Sequence, residues 1–278
     1  MVAPASTHAP CRNGRLWLSA VNQRLIAFDL DDTLAPSKTP IDPRMADLLG
    51  RLLDVAEVCV ISGGRFEQFR DQVIARMPLT ARLDRLHLMP TCGTQYFLWQ
   101  DDQWVQQYAE NLTEEEKAAA LTAIEEEAKR LGLWESDTWG PVLEDRGSQI
   151  TFSALGQSAP VDAKKAWDPS GERKNALRAA VQVRVPELEV RSGGSTSVDV
   201  TRRGIDKAYG MTKLAQLTGI AFDEMLFVGD RLDPDGNDFP VIALGIPTSA
   251  VEGWEQTADL VERLVEQLDD RVGDLAER

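Results

Sequence analysis

The chain has 278 residues, 43% of them hydrophobic, which is ample for a real core and roomy for one domain, since single cores stop growing near ~250 to 300 residues. Its 45 acidic residues outnumber the 30 basic ones, for a formal net charge of -15 at pH 7. That balance works against nucleic acid as a partner, because binding a phosphate backbone needs Lys and Arg gathered on one face.

No apolar run reaches the ~20 residues of a membrane helix, so no membrane partner is expected either. The cysteines Cys11, Cys59 and Cys92 are odd in number, and Cys59 sits inside the apolar run VCVIS. Both points argue against a disulfide framework and for a reducing, cytoplasmic setting.

Residues 1–23 hold no long apolar stretch and are expected to form a flexible N-terminal extension. RLIAFDL (24–30) then reads as a buried strand. Asp42-Pro43 reads as an N-cap and first-turn pair, opening a helix with apolar positions Met45, Leu48, Leu49, Leu52 and Leu53. EVCVIS (57–62) is a second buried strand stopped by Gly63 and Gly64, a helix follows over 66–74, and HLMPT (87–91) is a third strand. Buried strands alternating with helices predict a parallel α/β sheet.

After Thr91 the texture changes. QYFLW and QWVQQY flank Asp101 and Asp102 as a hairpin whose alternation suits an antiparallel sheet with one wet face. Thr113 and Glu116 make a capping box for the next helix, SQITFSA is a strand, Asp168-Pro169 opens a further helix, and LEVRS and STSVDVT are two more strands. The α/β texture resumes with a helix over DKAYGMTKLAQL, the buried strand EMLFVGD ending at Asp230, the segment VIALGIP, and a terminal helix with apolar spacing in VERLVEQLDDRVGDLAER. The expected organisation is a catalytic α/β core over 24–94 and 203–278 with an α+β domain inserted over 95–202.

The run FDLDDTL places Asp29, Asp31 and Asp32 at the end of a buried strand, the position where open parallel sheets bind ligands. Side chains two apart on an extended segment project to the same side, so Asp29 and Asp31 can face one reaction centre. A calcium loop is excluded, because the sixth position from Asp29 is Leu34 and the twelfth is Pro40, where Gly and Glu are required. A Ser-His-Asp hydrolase is unsupported: the histidines are His8, in the extension, and His87, expected to be structural.

What remains is phosphoryl transfer through a carboxylate, in which one aspartate attacks phosphorus and a neighbour moves the proton. Such a site also needs a divalent cation, donors for the phosphoryl oxygens and a fixed positive charge. Ser62 with Gly63 and Gly64 behind it could supply the donors, Lys207 the positive charge, and Asp230 with Asn237 and Asp238 the oxygen ligands.

FDLDDTL, VISGG, the lysine of GIDKAYG, and FVGDRLDPDGND resemble the four motifs of the haloacid dehalogenase superfamily. The insertion between the second and third resembles its type IIB cap. EDRGSQITFSALGQSAP, RSGGSTSVDVTRRGIDKAYG and GDRLDPDGND are similar to segments of eukaryotic-type phosphomannomutases, over about residues 24 to 250.

The resemblance implies a Rossmann-like core with a parallel sheet and an inserted α+β cap, binding Mg²⁺. It implies Asp29 as nucleophile, Asp31 as acid and base, Thr33 and Ser62 as phosphate donors, and Lys207 as their charge partner. Asp29, the Asp31 backbone carbonyl and Asp230 would hold the metal, and Arg146, Ser197 and Asp199 the sugar phosphate. The mutases carry further cap arginines where this chain has Gln157 and Lys164, and Lys-Thr where it has Arg231-Leu232. A mutase must grip a bisphosphorylated sugar in two orientations. The expectation is therefore a phosphohydrolase acting on a sugar phosphate or similar small metabolite, with a phosphohexose mutase as the alternative and a non-catalytic sugar-phosphate binder behind both. A homodimer through the cap, and cap closure about hinges near Gly93 and Gly204, are further expectations.

Overall fold

The computed structural model describes residues 22–276, with side chains described to residue 271. Most of the expected extension, including His8 and Cys11, lies outside the described residues, as does the very end of the tail. Gln23, assigned to that extension, is already buried. Among the described residues no helix is long and apolar enough to cross a membrane.

The chain runs through β1 (Leu25–Phe28), α1 (Pro43–Val55), β2 (Glu57–Ile61), α2 (Phe66–Gln72), β3 (Leu86–Met89), β4 (Gln95–Gln100) and β5 (Gln103–Ala109). It continues with α3 (Glu114–Arg130), β6 (Leu143–Asp145), β7 (Gln149–Ser153), α4 (Val161–Trp167), α5 (Glu172–Arg184), β8 (Leu188–Ser192) and β9 (Ser197–Arg202). Last come α6 (Lys207–Thr218), β10 (Met225–Gly229), α7 (Phe239–Ile242), β11 (Thr248–Ala250) and α8 (Trp254–Ala276).

Seven strands form the larger sheet in the order β11-β10-β1-β2-β3-β4-β5, parallel from β11 to β3. β1 and β10 at its centre carry no polar side chain because both faces are covered. Ile26, Phe28, Val58, Val60, Leu226 and Val228 join the cluster shared with α1 and α8. The residues between them, Leu25, Ala27, Cys59, Ile61, Met225 and Phe227, join the cluster under α6. Each such fully buried Val, Ile, Leu or Phe contributes about 1.5–3 kcal/mol. Asp42 caps α1 as expected, its carboxylate accepting from the Arg44 N–H at 2.8 Å.

A second sheet of four antiparallel strands, β6-β7-β9-β8, packs one face on α3 and α5 through Ile150, Phe152, Val190, Val198 and Val200. The period of two sends Thr151, Ser153, Arg191, Ser197 and Asp199 to the opposite, polar face. The Thr113–Glu116 capping box opens α3 as expected. A mostly parallel central sheet with this separate antiparallel layer matches the core-plus-cap architecture that the resemblance implies.

The structure departs from the expected layout in several places. The β4–β5 hairpin, expected to open the inserted domain, instead extends the larger sheet, with Leu88 of β3 paired to Phe97. Its alternation reports one wet face, and the edge of a core sheet offers that as readily as a cap does. The chain therefore crosses between the layers over 110–113 and 203–206. Asp168-Pro169 does not begin a helix: α4 precedes it and α5 starts at Glu172. Asp168 still accepts the N–H groups of Arg173 at 3.3 Å and Lys174 at 2.9 Å, which explains why it reads as a cap.

Candidate active site

The ends of β1, β2 and β10 and the start of α6 converge on one point at the carboxyl edge of the larger sheet. Asp29 continues β1 by one hydrogen bond, from its N–H to the Val228 carbonyl at 3.0 Å. Lys207, the first residue of α6, enters a pocket that leaves it 1% exposed. Its ammonium lies 2.5 Å from Asp29 Oδ1 and 2.5 Å from Asp238 Oδ1. Asp238 is fully buried, and its second oxygen accepts from the Arg231 N–H at 3.0 Å.

Asp29, Asp230 and Asp238 each bring a carboxylate oxygen within 4.8 Å of the others. Three carboxylates around one ammonium leave a negative excess. Burial, foremost, and the negative charges of Asp238 and Asp230 push the Asp29 carboxyl up, against the pull of Lys207. Burial and Asp238 likewise raise Asp230. Burial also opposes the Lys207 charge, yet Asp29 and Asp238 outweigh it and hold the ammonium protonated. An all-oxygen donor set with excess negative charge fits a hard divalent cation such as Mg²⁺.

The other expected residues surround this centre in different ways. Thr33, fully buried, donates to Asp230 Oδ1 at 3.4 Å. The buried Ser62 hydroxyl accepts from the Gly64 N–H at 3.2 Å, and Gly63 has open space before it. Asn237 is exposed and makes no hydrogen bond to the acidic cluster among the described residues. Asp31 is half-buried. Its Oδ1 accepts from the Lys38 N–H at 2.7 Å, and its Oδ2 from Gln68 Nε2 at 2.9 Å.

From the cap, Arg146 pairs with Glu144 at 2.7 Å and donates to the Gly63 carbonyl at 2.7 Å, so it ties the polar sheet face to the loop after β2. Asp199 accepts from Thr151 Oγ1 at 2.7 Å. Burial raises its carboxyl and Arg146 opposes that rise, although Asp199 keeps some solvent contact. Ser197 lies on the same face, two residues along β9.

Lys38 was not singled out by its sequence, where SKTP looks like an ordinary turn. Its backbone is left-handed (φ 59°), and its ammonium crosses from the core to the cap, donating to the Gln157 carbonyl at 3.0 Å and to Gln157 Oε1 at 3.2 Å. Lys164 donates to the same carbonyl at 3.1 Å, while the Gln157 Nε2 is buried without a partner. Desolvation first, then Lys164 and Arg146, push the Lys38 ammonium down to about 8, even though the residue remains largely at the surface. Burial lowers Lys164 as well. The signal that could have found Lys38 is its place in the loop directly after the acidic motif.

A family model described as eukaryotic phosphomannomutase matches residues 45–267. Phosphomannomutase 1 of Homo sapiens is 25% identical over 241 residues, covering 79% of this chain and 83% of the relative. A probable phosphomannomutase of Caenorhabditis elegans is 25% identical over 264 residues, covering 90% of this chain and 98% of the relative. Among solved structures, Plasmodium falciparum IMP-nucleotidase aligns with a TM-score of 0.67 at 15% identity, over 89% of this chain and 62% of that one. A trehalose-6-phosphate phosphatase related protein aligns with a TM-score of 0.54 at 11% identity, over 89% and 99%. These two likenesses speak for the shared fold.

Proposed function

The chain belongs to the eukaryotic phosphomannomutase family of the haloacid dehalogenase superfamily, and from that premise we propose that it is a Mg²⁺-dependent phosphohydrolase of a sugar phosphate or similar small phosphorylated metabolite. The observation that carries phosphoryl transfer is the Lys207 ammonium held 2.5 Å from Asp29 and 2.5 Å from Asp238. That contact occupies Asp29 Oδ1 and leaves Oδ2 to attack.

In the proposed reaction an O–P bond forms to Asp29 while the bond from phosphorus to the sugar oxygen breaks, and Asp31 gives that oxygen its proton. Asp31, now a carboxylate, takes a proton from water as the water oxygen bonds to phosphorus and the Asp29 O–P bond breaks, which restores the Asp29 carboxylate and the Asp31 proton and releases inorganic phosphate. Thr33, the Ser62 hydroxyl and the backbone N–H groups near Gly63 would receive the phosphoryl oxygens, and Lys207 offsets their charge. Asp29, the Asp31 carbonyl and Asp230, with Asp238 beside them, would hold Mg²⁺, which when bound offsets charge on the phosphoryl group. The four-stranded layer, with Arg146, Lys164, Ser197 and Asp199, would bind the sugar phosphate as a cap.

A second reading, a phosphohexose mutase, is favoured by Lys38. Gln157 lacks the arginine charge, but Lys38 and Lys164 bring two ammonium groups to it, at 3.0 Å and 3.1 Å from its carbonyl. The deciding experiment supplies Mg²⁺ and mannose 1-phosphate, with and without a hexose bisphosphate. Release of inorganic phosphate supports the hydrolase; mannose 6-phosphate formed well ahead of phosphate supports the mutase.

A further inference from the structure

Asp31 is gripped from α2 by two glutamines spaced four apart, Gln68 and Gln72, which share one helix face. Gln68 Nε2 donates to Asp31 Oδ2 at 2.9 Å. Gln72 gives its shorter bond, 2.6 Å, to the Thr39 carbonyl and reaches Asp31 Oδ1 only at 3.4 Å. Oδ1 is already taken by the Lys38 N–H at 2.7 Å, so Gln68 is the side chain that fixes the second oxygen. The backbone makes room for it: a Cβ on Gly64 would stand 2.3 Å from Gln68 Oε1.

We propose that Gln68 is the positioning residue for Asp31, orienting its carboxyl so that one oxygen can pass a proton to the ester oxygen that leaves phosphorus. The inference rests on the reading of Asp31 as acid and base. An untethered carboxylate can rotate about its Cβ–Cγ bond, and misplacing a proton donor by about an ångström costs on the order of 100-fold in rate. Nothing else in α2 requires a glutamine here, since Gln68 is half-buried and outside the apolar clusters.

The test exploits the leaving group. A sugar oxygen needs the proton as the P–O bond breaks, whereas 4-nitrophenolate departs without it. In the full-length protein with Mg²⁺, Gln68→Ala should lower kcat on mannose 1-phosphate by about 10- to 100-fold, and the loss on 4-nitrophenyl phosphate should be at least about tenfold smaller. Gln68→Lys, which keeps an N–H donor of similar reach, should recover most of the lost rate on the sugar ester. Asp31→Asn is measured alongside and should show the same bias more strongly. If Asp31→Asn shows the bias and Gln68→Ala loses rate equally on both esters, the positioning role is wrong while Asp31 stands. Should Asp31→Asn itself show no bias, the acid role of Asp31 fails and the inference goes with it.

Discussion

Gly93 and Gly210 meet backbone to backbone: a Cβ on Gly93 would lie 2.5 Å from the Gly210 Cα, and one on Gly210 would lie 2.6 Å from the Cys92 carbonyl oxygen. The loop after β3 is thereby pressed onto α6, the helix that carries Lys207. A hinge at Gly93 does not fit such a contact. The chain passes between the two layers at 110–113 and 203–206, where any cap closure would have to turn, and Glu110 of the first is held by Tyr209 and by Lys213 at 2.8 Å.

Gly210→Ala should accordingly destabilise the protein, despite alanine's better helix propensity of up to ~1 kcal/mol. The new methyl would also stand 2.4 Å from Ile61 Cδ1. Overpacking of this kind costs about 1–3 kcal/mol, so a lower thermal midpoint is expected. An unchanged or raised midpoint would mean the loop and helix are free to separate.

Asp29→Asn keeps the side-chain volume and removes the attacking carboxylate, so turnover of any phosphate ester should fall by several orders of magnitude. The far-ultraviolet circular dichroism spectrum should stay native. Retention of more than about a tenth of the rate in single-turnover measurements would eliminate covalent catalysis from Asp29.

Mg²⁺ binding should strengthen as pH rises. Asp29 and Asp230 are both raised above the ordinary carboxylate range, so without metal the folded state keeps protons that the unfolded chain would release, and it loses stability as pH rises past about 4. A cation needs the ionised carboxylates and must expel those protons. Titration calorimetry at pH 5.5 and pH 7.5 should give the tighter constant at the higher pH, with proton release visible as a buffer-dependent enthalpy. Asp230→Ala should weaken binding at both pH values. Affinity independent of pH and buffer would place the metal away from these carboxylates.

Asp29, Asp230 and Lys207 were legible in the sequence as a set, because each stands at the end of a buried strand or the head of a helix and their order along the chain resembles the superfamily's motifs. LIAF is apolar on both faces, which happens in parallel sheets, and Asp29 is the first polar residue beyond it. Lys207 stands at the head of DKAYGMTKLAQL, read as a helix, and α6 does start there, with the Asp206 carboxylate accepting from the Tyr209 N–H at 3.0 Å. The β4–β5 hairpin was misplaced because alternation tells which face is wet and not which sheet a strand joins. Lys38 and Gln68 were missed for a related reason: their partners, Gln157 and Asp31, lie 119 and 37 residues away, and no periodicity encodes a contact at that separation.

The last prediction turns on Lys38 and Gln157. A dianionic phosphate held by the cap would find two ammonium groups here and one unpartnered amide donor, where an arginine would offer a planar, permanently charged fork. Lys38 carries its charge below about 8 and loses it above, so KM for a sugar phosphate should rise as pH increases through that value. Lys38→Arg, with its charge fixed, should flatten the rise, and Lys38→Ala should raise KM at pH 7 by about tenfold, the scale of one charge-assisted hydrogen bond. In the free protein a guanidinium at position 157 would be repelled by Lys38 and Lys164, and only a bound dianion relieves that repulsion. Gln157→Arg should therefore raise isomerisation relative to phosphate release on mannose 1-phosphate with catalytic hexose bisphosphate, whereas Arg146→Ala should lower both. A wild-type protein that already isomerises far faster than it releases phosphate would overturn the hydrolase reading in favour of the mutase, and would make Lys38 the cation that stands in for the arginine.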